Sequence, residues 1–287
     1  MLTLELPFAC APCLLTASGQ EPERLLARLA EILRLTPAQG TLADTAPIVT
    51  LSNCPPTGEG WQPWEGSVRF PGQVTWQKEA FRLHFRLEDA PLDETDTWRV
   101  LIRCFNFAVI NNILHHQTVM LHGALLEVDG RGVVLFAPCG MGKSTSCRRF
   151  ASQGGKVLCD DKLFVTFTDD GRLLAQPCPT WSREVLSTEI ETDFTTTLPL
   201  GALLFLNRGE DDRIVPIKAG AWHLQLLQSN SNFFRRPADA FPSDIINQVT
   251  QACLPRLEKL CRQFGYYELQ GDLHGSIRRH LQEFLAK

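Results

Sequence analysis

One lysine, one serine, two adjacent aspartates and a histidine carry spacing in this 287-residue chain that could do chemistry. The run Ala137-Pro138-Cys139-Gly140-Met141-Gly142-Lys143-Ser144-Thr145 follows the apolar stretch Gly132–Phe136 and precedes a helix expected over Ser144 to Gln153. Strand, glycine-bearing loop, Lys-Ser and helix, in that order, build a phosphate-binding loop. Glycines let the backbone curl so that several N–H groups face one anion. The helix N-terminus adds its partial positive charge, and the lysine reaches the outer phosphates. Ser144 stands where a hydroxyl can ligate Mg²⁺. Ala137 takes the place of the first glycine in G-x-x-x-x-G-K-[ST], which limits left-handed backbone there and leaves the rest of the wrap intact. A plain glycine-bearing turn with a surface lysine would share this run, so the surroundings have to decide.

The expected helix ends at Gly154-Gly155, and Lys156–Cys159 reads as a short buried strand with Asp160-Asp161 at its end. A strand–helix–strand unit crosses over right-handed, so its second strand runs parallel to its first. Both strands then present their C-terminal ends at one edge, where ligands bind. That brings Asp160 and Asp161 to the side of Lys143 and Ser144. Two carboxylates facing a phosphate site can hold Mg²⁺ and can accept a proton from an attacking hydroxyl; a solvated acidic turn is the plainer alternative. Before the loop, Val119–Val128 reads as one strand, and Asp129-Gly130 turns it into the strand that feeds the loop.

Stepping outward, residues 1–92 read as a small α+β module, for substrate recognition or as scaffold, and residues 93–287 as the phosphate-loop domain. Leu2–Leu6 alternates as a strand, Pro22–Leu35 carries leucines at helical spacing, and strands are expected at Ile48–Leu51, Gly66–Phe70 and Phe81–Leu87. In the last of these, Phe81, Leu83, Phe85 and Leu87 should face one way and Arg82, His84, Arg86 and Glu88 the other. Asp93–Thr97 should cap a helix from Trp98 to about His116, whose apolar stripe should face the following domain. Later elements are strands at Leu163–Thr168, Leu173–Gln176, Leu198–Asn207 and Tyr266–Leu269. Helices are expected over Ala221–Asn232, over 243–264 with an interruption at Pro255, and over Ser276–Ala286. Trp181, in a Pro-rich loop, could stack on a base or pack beneath the loop.

The chain is 44% hydrophobic and 21% charged, ordinary values for a globular protein, and its net charge of −4 gives no electrostatic footprint for nucleic acid or acidic membranes. Met1–Ala17 is apolar yet carries Glu5, Pro7 and Pro12 and no basic residue, unlike a signal peptide. No stretch approaches the about 20 apolar residues of a membrane span. A cytoplasmic location is expected, with no nucleic acid and no membrane as partner. The ten cysteines are scattered and read as structural thiols; Cys10 and Cys13 have metal-knuckle spacing, but no second such pair follows.

His122-Gly123, the loop Gly140–Ser144, Asp160-Asp161 and the later Ile214–Gly220 together resemble the HPr kinase/phosphorylase family, over about residues 119–225. That family shares its core with phosphoenolpyruvate carboxykinases. The runs Ser146–Phe150, Leu158–Asp161 and Pro179–Ser182 are similar to its relatives in peptide-modification clusters, the SynChlorMet cassette family ScmC among them. The resemblance implies an α/β fold, a mixed sheet with an HPr kinase/PEP-carboxykinase-like P-loop core. It implies ATP and Mg²⁺, with Pro138 to Thr145 around the nucleotide, Lys143 on the outer phosphates, and Ser144 and Asp161 on the metal. By the same resemblance Asp160 is the base, His122 orients it, and Arg213 or Lys218 neutralises charge on the transferring group. Cys139 stands where the bifunctional enzymes carry serine, which argues against phosphorylase activity. The expected function is phosphoryl transfer to Ser or Thr of a small peptide or protein in ribosomal-peptide modification. The alternatives are a kinase for a free serine-like metabolite and a nucleotide-dependent peptide-binding protein without chemistry. A homo-oligomer is compatible with this reading.

Overall fold

The computed structural model describes residues 1–39, 47–64, 71–88, 90–138, 140–179, 193–220, 222, 241–271 and 275–286. The chain forms two units, Met1–His116 with Ala238–Val249, and Gln117–Pro237 with Thr250–Lys287.

In the first unit the elements are β1 (Leu2–Leu6), β2 (Cys13–Ser18), α1 (Gln20–Leu33), β3 (Ala38–Gln39), β4 (Val49–Ser52), β5 (Gln62–Pro63), β6 (Gln73–Gln77), β7 (Arg82–Arg86) and α2 (Glu94–His115). The seven strands lie in the order β3-β1-β2-β4-β7-β6-β5, with β2, β4 and β7 parallel. Leu25, Leu26, Leu29 and Leu33 put the apolar stripe of α1 fully into the core, as helical spacing requires. Strands β2 and β6 are additions to the sequence reading, and the strand expected at Gly66–Phe70 lies outside the described residues.

Helix α2 starts as expected, with the Asp93 side chain accepting from the Asp96 N–H at 2.7 Å. Phe105 lies 6.4 Å from Phe8, and Phe107 stacks on Phe81 at 4.5 Å, so that by its contacts the helix groups with the first unit as far as His116, beyond the boundary expected at 92/93. The large aromatic surface of α2 finds its match in rings of its own unit, where each buried ring contributes more than a scattered aliphatic would. His84, on the face of β7 opposite Leu83 and Phe85, is buried as well, because the chain that follows β4 covers that face.

In the second unit the elements are β8 (Thr118–His122), β9 (Ala124–Val128), β10 (Arg131–Phe136), α3 (Lys143–Ser152), β11 (Lys156–Cys159), β12 (Lys162–Phe167), β13 (Leu173–Pro177), β14 (Leu198–Arg208), β15 (Arg213–Pro216), α4 (Ser243–Phe264), β16 (Tyr267–Gly271) and α5 (Ile277–Leu285). The opening residues of α4, up to Val249, group with the first unit. Nine strands make one mixed sheet, the α/β architecture expected, with β11-β9-β10-β14-β13-β12-β8 in line and β16 and β15 beyond β14. Leu198 and Pro199 of β14 pair antiparallel with β13, while its later residues run parallel between β10 and β16. Val133, Leu135 and Ala137 alternate onto Cys147 and Phe150 of α3 and onto Ile277 and Leu281 of α5. On the opposite face Phe136 meets Trp222 at 5.1 Å and Phe205 at 6.5 Å.

Two differences from the sequence reading shape the site. Val119–Val128 is not one strand: it breaks at Gly123, so that β8 pairs with β12 while β9 pairs with β10 and β11. A side chain at Gly123 would put its Cβ 2.9 Å from the Leu135 carbonyl, and the Gly123 N–H donates to the Asp161 carbonyl at 3.0 Å. Helix α4 runs through Pro255 without interruption. The carbonyl four residues earlier, at exposed Gln251, loses its intrahelical donor where water can replace it. Arg256 of the same helix donates to the Thr118 carbonyl at 2.8 Å and so holds the start of β8.

Candidate active site

Strand β10 delivers the chain to the loop, and helix α3 takes it away. Ala137 is fully buried in the core cluster with Cys147 and Phe150, which explains a methyl group at a position that is glycine in the general pattern. Gly140 and Gly142 follow with φ of 82° and 98°, the left-handed backbone that a side chain resists, and open space surrounds the place where each Cβ would stand. The Met141 N–H returns to the Pro138 carbonyl at 3.3 Å and closes the turn. Helix α3 then starts at Lys143 with Gly142 as its N-cap and no side-chain cap, so its first-turn amides have no acceptor within the helix. Ser144 and Thr145 are exposed on that first turn, and Cys139 lies outside the described residues.

Lys143 lies back over the loop. Its ammonium donates to the Ala137 carbonyl at 3.3 Å and to His122 Nε2 at 3.2 Å. On the other side of the ring, His122 Nδ1 is 3.2 Å from Asp161 Oδ1. An ammonium can only donate, so Nε2 accepts and the proton of the neutral ring sits on Nδ1, aimed at the carboxylate. Three residues from three separate stretches of chain therefore form one line, Lys143–His122–Asp161. The break at Gly123 makes this line, since it ends β8 at His122 where the turn after β11 carries the acidic doublet.

Strand β11 does run parallel to β10, as the crossover argument requires, with antiparallel β9 between them. The two aspartates at its end differ. Asp160 is 5% exposed, whereas the Asp161 side chain is 34% exposed and is the one beside His122. Burial raises the pKa of Asp161, but the His122 hydrogen bond and the charges of Lys162 and Lys143 outweigh it and hold the carboxyl below its ordinary value. The more accessible of the two carboxylates, Asp161, is the one in line with His122 and the lysine. An ionised carboxylate and the exposed Ser144 hydroxyl are hard oxygen donors of the kind Mg²⁺ takes alongside substrate phosphates, so these residues fit that ion.

Lys162 went unnoticed in the sequence. It sits opposite His122 in the β8–β12 register and adds a second cation beside Asp161. Its signal was only its place after the doublet. Arg213 and Lys218 separate clearly. The registers set Phe136, Phe205, Glu268 and Val215 at one level across the sheet, which puts Arg213 at the sheet edge from which the loop leaves, three strands along from β10. Antiparallel β15 then carries the chain away, and exposed Lys218 follows its far end, so the sheet does not gather Lys218 with the loop. The Arg213 Nε–H donates to Gln270 Oε1 at 2.5 Å. Trp181 and all of the expected helix Ala221–Asn232 except Trp222 lie outside the described residues. No helix among the described residues is long and apolar enough to cross a membrane.

Among known proteins, a 68-residue stretch is 31% identical to the HPr kinase/phosphorylase of three strains of Streptococcus thermophilus, over 24% of this chain and 22% of theirs. The chain thus matches less than a quarter of the length of those relatives. The structure of the Hpr(Ser) kinase/phosphatase from Coxiella burnetii aligns at 13% identity and a TM-score of 0.25, over 41% of this chain and 98% of that one. Residues 90–286, well over half of the chain, match the SynChlorMet cassette protein ScmC family, and the chain belongs to that family.

Proposed function

We propose that this protein is an ATP- and Mg²⁺-dependent phosphotransferase that moves the γ-phosphoryl group onto a Ser or Thr hydroxyl of a small peptide or protein, in the modification of a ribosomal peptide. The observation that carries the reading is the line Lys143–His122–Asp161 at the edge where β10 enters the phosphate loop. A protein that only held a nucleotide would need the lysine but no oriented carboxylate beside it. The similarity to HPr kinase/phosphorylase supports the same reaction class.

In this reading, loop amides from Gly140 to Thr145 and the end of α3 take the phosphates, and Lys143 turns from His122 to the outer two. Ser144 would ligate Mg²⁺, with the acidic doublet accepting from its water shell, and the ion would offset charge on the phosphates. Asp161 takes the proton of the acceptor hydroxyl as the new O–P bond forms and the bond from the γ-phosphorus to the bridging oxygen breaks, the electron pair leaving with ADP. His122 keeps one oxygen of Asp161 fixed, so the other meets the alcohol. Arg213 offsets charge on the equatorial oxygens, the main requirement of a loose phosphoryl transition state.

The test is co-expression with peptides encoded beside the gene, followed by mass spectrometry for one added phosphoryl group, and calorimetry with magnesium nucleotides. Transfer to a peptide that is lost in Lys143→Ala is expected. Undiminished transfer by Lys143→Ala, or the absence of heat with any magnesium nucleotide, sinks the reading. Phosphorylation of free serine and of no peptide would move the acceptor to a metabolite.

A further inference from the structure

Arg149 lies on α3 between the phosphate loop and the end of the helix, and nothing in the proposed chemistry uses it. Its Nη2 forms an ion pair with Asp212 Oδ2, and the two side chains are only 13% and 1% exposed. Asp212 is the residue immediately before Arg213. Its carboxylate fills the space a side chain at position 275 would need, since a Cβ there would stand 2.5 Å from Oδ2. Gln153, at the end of the same helix, donates to the Gly275 carbonyl at 2.9 Å and accepts from the Arg278 N–H at 3.2 Å. Helix α3 is therefore tied at two points to the segments that flank β15 and follow β16.

The other side of Arg213 is equally constrained. Gln270, which accepts from Arg213, donates to Glu268 Oε1 at 3.0 Å, and Asn207 donates to Glu268 Oε2 at 3.2 Å. Glu268 is buried, so this chain of contacts has little freedom. The guanidinium stem of Arg213 is held by the sheet through Gln270, and its backbone is held by α3 through Asp212.

We infer that Arg149 is a positioning residue: its buried ion pair with Asp212 sets the distance between the phosphate loop, at one end of α3, and the Arg213 arm. The inference rests on the reading of Arg213 as the group that offsets charge on the transferring phosphoryl. A buried ion pair is a poor source of net stability, because desolvation cancels much of its attraction, but it is specific about geometry. A strut of this kind moves with α3 and makes the arm follow the loop. A misplacement of about 1 Å is enough to cost catalysis on the order of a hundredfold.

The experiment compares wild type, Arg149→Met, Arg149→Lys, Arg213→Ala and the double variant Arg149→Met/Arg213→Ala, all as full chains. Single-turnover transfer, nucleotide affinity by calorimetry and hydrogen exchange over residues 207–216 are read together. Arg149→Met should lower the transfer rate about tenfold while nucleotide Kd stays within about twofold, and in the Arg213→Ala background it should lower the rate by less than about twofold further. Amides at 209–213 should exchange faster in Arg149→Met and recover in part in Arg149→Lys. Losses that multiply in the double variant, or unchanged exchange at 209–213 with only a lower melting temperature, overturn the proposal. If the wild type transfers nothing, the exchange data still decide the strut, and it is the kinase reading that fails.

Discussion

His84 in the first unit and His122 in the second both sit on strands, and their surroundings give them opposite properties. His84 is 4% exposed, its Nε2 bonds to the Cys54 carbonyl at 3.0 Å, and the Trp61 ring stands edge-on at 5.7 Å. Burial, more than the nearby Arg86, pushes its pKa down, although the carbonyl bond opposes this. A carbonyl can only accept, so Nε2 carries the proton and the ring is a neutral structural tie. His122 is a quarter exposed and touches a cation through one nitrogen and an anion through the other. Moving Lys143 alone would change what that ring can do. The lesson is that charged partners on both nitrogens, and a path to solvent, distinguish His122 from the packed ring of His84.

The largest test of the contrast falls on the acidic doublet beside His122. Asp161→Asn should lower phosphoryl transfer by roughly 10² to 10⁴, the range for loss of a general base, with little change in melting. Asp160→Asn should instead show its main effect as lower stability, because its carboxylate is buried. If rate and stability exchange places between the two variants, the assignment of the base to Asp161 fails. The histidines come next. His122→Ala should lower the transfer rate about tenfold at unchanged melting temperature. His84→Ala should cost about 1–3 kcal/mol of stability, from a lost buried contact, while the rate of the folded protein stays the same. Denaturant titration and single-turnover rates on both variants distinguish the cases.

Gly123→Ala tests the break that brings His122 to Asp161. The added methyl meets the Leu135 carbonyl and should cost about 1–3 kcal/mol. It should also lower transfer in the protein that remains folded, and a folded variant with full activity would show that the break is not what aligns the site. The smallest effect is the pH response of the first unit. Because the folded protein binds a proton at His84 less readily than the unfolded chain, that site contributes stability fully above the unfolded value of about 6.5 and loses it as pH falls through the lower folded value. Melting curves from pH 7.5 to 5 should therefore decline more steeply for wild type than for His84→Gln. Parallel curves would mean that the buried ring is not the group responsible.

Much of the second unit was legible in the chain because its signals are local. Apolar Gly132–Phe136, two glycines and Lys-Ser specify strand, loop and helix within about a dozen residues, and Asp129-Gly130 announces its own turn. The doublet's arrival at the loop followed from crossover handedness, a rule that holds whatever strand lies between. Other features lay beyond reach. Gly123 inside an alternating run looks like a tolerated glycine until the Leu135 carbonyl is found against it. The continuity of α4 through Pro255 depends on which carbonyl is exposed, and the burial of His84 depends on a loop thirty residues away in sequence.

By itself, then, the sequence determined a strand, a glycine-bearing loop and a helix with a lysine, a hydroxyl and carboxylates at one sheet edge, since backbone conformation and helix ends are written into neighbouring residues. Only the tertiary structure decided that His122 stands beside Asp161, that Arg213 comes to the sheet edge from which the loop leaves, and that α2 groups with the first unit. Those outcomes turn on strand registers and on which distant surfaces match, and no period of apolar residues along one segment encodes its partner.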